Sequence, residues 1–266
     1  MFTGASSQQN RLRFLLFMRI DQLAINSIST RHATLEEALD AYAEAGFRHV
    51  EFALPQVKEY LHTGKTAAGA RGLLEARGLR CIGGFESAFE AFSPPAEREK
   101  NHAEIVANAK LVAELGGTTL VVGLDGPSDA SSAQDPLGTF AEALAGVAAR
   151  IAPLDVHLAI EFNWSPIVKS FRAAAEIARR SGASNVGVLF DPAHYHCTPT
   201  KFAEITAENV AVLKHIHVNN MLDQPGELSN CNSDRVLPDD PRGCLDLAAI
   251  YGALECCGYR GMFAIE

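Results

Sequence analysis

At 266 residues, with 47% hydrophobic and 21% charged residues, the chain has the length and composition of one large folded domain and excludes a disordered one. A formal net charge of −9 argues against a nucleic-acid groove, which needs a Lys/Arg surplus on one face. The six cysteines form no C-x-x-C pair, so reduced thiols in a cytoplasmic protein are expected, and no membrane span is expected because Arg19 and Asp21 interrupt the apolar run 14–18.

Residues 1–17 read as a leader ahead of a single domain, residues 18–266. The first strand is expected over Ile20 to Ile25, followed by a loop from Asn26. Thr34-Leu-Glu-Glu37 is a capping box that opens a helix running to Gly46. Arg48 to Phe52 is the second strand. A helix over Gly69 to Arg77 ends at Gly78, and Leu79 to Ile82 is the third strand. A longer helix, Ala96 to Leu115, ends at Gly116-Gly117 before the fourth strand, Thr118 to Val122.

The same alternation continues through the second half. A helix over Phe140 to Ile151 precedes the fifth strand, Val156 to Ile160. Phe171 to Arg180 is helical and leads to the sixth strand, Val186 to Phe190. Phe202 to Val210 supplies a helix and Val212 to Val218 the seventh strand; Asp246 to Cys257 and Gly261 to Ile265 supply the last pair. Strands separated by helical patterns pair in parallel with right-handed crossovers, and eight of them predict a (β/α)8 TIM barrel. The sequence stops at Glu266, so the barrel is expected to lack its last helix. The uncovered eighth strand makes a homo-oligomer one expectation. Asp125 to Asp135 and Met221 to Arg242 read as loops over the barrel mouth.

Four apolar runs end in a metal-capable side chain: Leu158-Ala-Ile-Glu161, Val186-Gly-Val-Leu-Phe-Asp191, Lys214-His-Ile-His217 and Met262-Phe-Ala-Ile-Glu266. Barrel enzymes place their chemistry at the C-terminal strand ends. Glu161, Asp191, His217 and Glu266 are therefore expected to converge on one divalent metal ion, and an oxygen-rich set with one imidazole suits Mn, Zn, Co or Mg. A single Glu at a strand end is usually solvated or ion-paired; the joint pattern on four strands outweighs that reading. His215 and His217 are expected on opposite sides of their strand, with His217 facing inward.

Ala159-Ile-Glu-Phe, the segment from Asn185 to His196 and Asp234-Arg-Val-Leu-Pro238 carry a resemblance to the xylose-isomerase-like barrel superfamily, from about Ile20 to the C-terminus. The likeness is greatest to its inosose (2-keto-myo-inositol) isomerases, which implies a role in inositol catabolism. The resemblance implies an isomerase or epimerase acting on a small ketose or inosose. Glu161 and Glu266 would serve as general base and acid beside an enediolate stabilised by the metal. His194 would address a substrate oxygen and Arg235 a substrate group or its negative charge. Glu51 is expected to bind substrate hydroxyls or the site's histidines, and Trp164 to offer an apolar face to a sugar ring. Asn219-Asn220 stand where many relatives carry an acid, which implies less negative charge near the site. A dehydratase of the dehydroshikimate type and a non-catalytic ligand-binding barrel are the competing readings.

Overall fold

The computed structural model describes residues 19–126, 133–163 and 165–266. The expected leader, residues 1–17, lies outside the described residues. Eight parallel strands close into a barrel: β1 (Leu23–Asn26), β2 (His49–Ala53), β3 (Arg80–Phe89), β4 (Thr119–Leu124), β5 (His157–Glu161), β6 (Val186–Phe190), β7 (Leu213–Val218) and β10 (Phe263–Ile265). β10 closes the ring by pairing with both β7 and β1. Between β7 and β10 a small antiparallel ribbon, β8 (Asn220–Met221) with β9 (Arg235–Val236), rises from the region expected to be irregular loop.

Helices fill the crossovers: α1 (Leu35–Glu44), α2 (Leu54–His62), α3 (Ala67–Ala76), α4 (Pro95–Leu115), α5 (Pro136–Ile151), α6 (Phe171–Arg180), α7 (Pro192–Cys197), α8 (Ala207–Val210) and α9 (Leu247–Cys256). Thr34 and Glu37 close the predicted capping box, with Glu37 N donating to Thr34 Oγ1 at 3.3 Å and Thr34 N donating to Glu37 Oε2 at 3.0 Å. α4 ends at Gly116, whose φ of 90° is open to glycine at little cost. Two differences from expectation stand out. α2 has no counterpart in the predicted element order, and the helix predicted over 202–210 is a 3-10 turn followed by the short α8.

Side-chain alternation divides the strands between two cores. Leu120, Val122, Leu158, Ile160, Val188 and Phe190 join the layer between sheet and helices. Val121, Ala159 and Leu189, with Phe85 against them, form a separate cluster inside the barrel. In the outer layer Phe162, Phe171 and Phe190 meet with ring centroids 5.5 to 6.0 Å apart, tying β5 and β6 to α6. Together with the 3-10 turn that follows it, α5 forms a helical stretch, Pro136–Leu154, long and apolar enough to cross a membrane by composition. Its Phe140, Leu144 and Ile151 are instead fully buried in this outer core.

Candidate metal centre

The inward residues of the barrel determine where its chemistry sits. Two positions beyond Ala159 and Leu189 on the same face come Glu161 and Asp191, at the C-terminal ends of β5 and β6. The same period of two puts His215 and His217 together on the inner face of β7. The expectation that only one of them faces inward is therefore corrected: both meet Glu51, at 3.2 Å from His215 Nε2 and 3.0 Å from His217 Nε2. Residues i and i+2 of a strand share a face; only i and i+1 are opposed.

Ligand-capable atoms of Glu161, Asp191 and His217 all lie within 4.8 Å of one another. Glu266, one residue past β10, joins through His217, with its Oε2 2.6 Å from Nδ1. Asp191 Oδ2 lies 3.3 Å from the same nitrogen. His217 thus directs Nδ1 at the acidic set and Nε2 at Glu51. Glu266 Oε2 is buried and, despite that short approach, has no hydrogen bond of suitable geometry. Three carboxylates and one imidazole nitrogen, crowded without mutual hydrogen bonds to satisfy them all, fit a hard or borderline divalent cation.

Asp191, Glu161 and His217 are each held from behind. Asp191 caps α7, accepting from Ala193 N at 2.6 Å and His194 N at 3.3 Å, and Asn219 Nδ2 donates to both of its oxygens at 3.2 Å. The position expected only to remove charge therefore fixes a carboxylate. Asn163 Nδ2 donates to Glu161 Oε2 at 2.8 Å, and Asn26 Nδ2 to Glu51 Oε2 at 2.9 Å. Tyr251 Oη donates to the His217 carbonyl at 3.2 Å, linking α9 to the strand end.

The expected substrate-facing residues divide. His194 Nε2 lies 3.1 Å from Glu161 Oε1, and its Nδ1 lies 3.4 Å from Cys231 Sγ. Arg235, carried on β9, reaches Glu266 Oε2 at 2.7 Å and Asp191 Oδ2 at 3.4 Å. Glu51 is 1% exposed and spends its carboxylate on His215, His217 and Asn26, so of its two expected partners the structure places it with the histidines. Trp164 lies outside the described residues. Cys231 escapes the sequence reading, and Asn219 is legible there only for the charge it lacks; both act on residues distant in the chain.

The charges are strongly coupled. Burial alone would raise the Glu161 carboxyl, but His194 holds it below the usual carboxylate range. Asp191 is fully buried, which would raise its carboxyl, but Arg235 and His194 keep it well below its ordinary value. Burial opposes protonation of His194 and His217, yet Asp191 and Glu161 around the first, and Glu266 and Glu51 around the second, raise both well above an ordinary imidazole.

Comparisons with known proteins agree with this architecture. A protein named inosose isomerase from Bacillus velezensis is 27% identical over 175 residues, covering 63% of this chain and 61% of that protein; another from Bacillus licheniformis is 26% identical over the same length. The matched regions thus span less than two thirds of these relatives. Among solved structures, the IolI protein with a bound zinc atom superposes with a TM-score of 0.79 at 18% identity, covering 92% of this chain and 88% of that one. A D-allulose 3-epimerase from Methylomonas sp. in complex with D-allulose gives a TM-score of 0.70 at 16% identity, covering 92% and 83%. The family model described as xylose isomerase-like TIM barrel matches residues 39–266, and the chain belongs to that family.

Proposed function

We propose that the protein is a divalent-metal-dependent isomerase or epimerase of a keto-sugar or keto-inositol, working by proton transfer through an enediolate. The observation that carries this reading is the convergence of Glu161, Asp191 and His217, with Glu266 against His217, at the C-terminal mouth of the barrel. Kinship with proteins named inosose isomerase supports the substrate class. Mn, Zn, Co or Mg held by Glu161, Asp191, His217 and Glu266 would polarise a substrate carbonyl and acidify the neighbouring C–H.

The chain's own residues supply the rest. Glu161 is ionised at neutral pH, which suits a proton acceptor, and its Oε2 is steadied by Asn163. Glu266 comes from β10, on another side of the mouth, and returns a proton from there. His194 and Arg235 are cationic donors beside these two carboxylates, placed to receive negative charge that develops on a substrate oxygen. Return of the proton to the former carbonyl carbon, with the neighbouring oxygen becoming the carbonyl, gives isomerisation, and return to the original carbon from the opposite face gives epimerisation.

Incubation of metal-loaded protein with 2-keto-myo-inositol and free ketoses in heavy water tests the reading. Deuterium enters the substrate with wild type, and Glu266→Gln lowers the rate by about 10²- to 10⁴-fold, the usual contribution of a general acid or base. Absence of exchange with every ketose and inosose would sink it, and product lighter by one water would replace it with the dehydratase.

A further inference from the structure

At the opposite, N-terminal end of the barrel a cavity of about 820 Å³ opens where β2, β3, β4, β7 and β10 begin. His49, Arg80, Thr119, Lys214 and His215 line it. This end gathers cations in a chain whose net charge is −9. Among the described residues neither Arg80 nor Lys214 makes an ion pair. Arg71 at the rim is already matched by Glu75 at 3.0 Å, and Asp21, whose charge is felt at His49, is engaged by Arg19 at 3.1 Å.

Lys214 is built into the cavity wall rather than left to swing in solvent. Its stem lies over Gly187, where a Cβ would come within 2.4 Å of Lys214 Cγ. The side chain is half-buried, and that burial lowers its pKa, as expected of an ammonium group taken from water without a counter-charge. One further lining group is unsatisfied: His49 Nδ1 is buried without a hydrogen-bond partner. A partly buried cation, a second cation at the rim and one imidazole with spare capacity surround one space. Their common complement is an oxyanion.

We propose that the N-terminal mouth is an anion site, distinct from the metal centre, that takes a small multivalent oxyanion such as a phosphate or a di- or tricarboxylate between Lys214 and Arg80. The proposal is independent of the reaction assigned to the other end of the barrel. Phosphate and carboxylate sources share this chemistry, so both probes are used.

Isothermal titration of the full chain with inorganic phosphate, and separately with citrate, at ionic strength matched with sodium chloride, tests it. Saturable 1:1 binding of either ion is expected, weakened at least tenfold by Lys214→Met and at least threefold by Arg80→Met, with Arg235→Met binding as wild type does. The better of the two ions names the source. Should Lys214→Met fail to fold by circular dichroism, Arg80→Met, at an exposed position, decides. No saturable binding, or binding that survives both substitutions and disappears with Arg235→Met, overturns the proposal.

Discussion

Glu51 Oε2 stands 3.0 Å from His217 Nε2, on the side of the imidazole away from Asp191 and Glu266. A carboxylate behind a histidine fixes its ring and tautomer, and raises its basicity toward a cation on the other side. Glu51→Gln keeps the shape but removes the charge. Metal affinity is expected to fall by about 10- to 100-fold, with activity following at limiting metal. Competition against a chromogenic chelator measures it; unchanged affinity would show that the pair only fills space.

His194 gives a pH-dependent term in stability. Its folded-state pKa is raised well above the ordinary value of about 6.5, so its contribution is complete below that pH and is lost as pH rises through the raised folded value. After chelator treatment, the melting temperature of wild type is expected to decline relative to His194→Gln as pH climbs above about 6.5. Parallel profiles for the two proteins would refute a protonated His194.

The thiols divide by burial. Cys81 is buried in the barrel wall, and burial pushes its pKa up to about 12. Cys197 and Cys231 are also buried, whereas Cys244 and Cys256 are exposed. Reaction with a chromogenic disulfide at pH 8 is expected to consume Cys244 and Cys256 first, and to reach Cys81, Cys197 and Cys231 only in denaturant. Peptide mapping after quenching identifies the sites, and early modification of Cys81 would contradict the packing.

Phe190 precedes Asp191 and interlocks with Phe162 and Phe171. Phe190→Ala is expected to cost about 3–5 kcal/mol of stability, the range for emptying a buried aromatic site. Denaturant unfolding reads the loss. Metal affinity should fall as well, because the cavity lies directly beneath the Asp191 backbone; a loss of stability with intact affinity would show that α7 capping alone holds the carboxylate.

The strand ends are the legible part of this site, because a buried strand that stops at a Glu, Asp or His leaves a local mark. Glu161, Asp191 and His217 are readable in that way, and the structure brings them together. The pairing of His215 with Glu51 is equally implicit in the strand period once i and i+2 are placed on one face. α2 is harder to read, since Pro55 resembles a break; yet Pro is at home in a first turn, and Leu54, Val57 and Leu61 recur at helical spacing. Asn219 against Asp191 and Cys231 against His194 leave no local mark at all. Their partners are 28 and 37 residues away, and only the closed barrel makes them neighbours.

The β8–β9 ribbon separates two tasks usually entangled in one loop. Met221 and Arg235 are paired across it, so the guanidinium is anchored at the base while residues 222–234 extend beyond. Cys231, within that extension, is buried against His194 and Arg235, so the part free to change without altering the reach of Arg235 to Glu266 is the stretch ahead of it. Such a layout lets the pocket's outer wall diversify while the charged floor stays constant, and it makes grafting this segment between relatives a practical route to altered substrate preference.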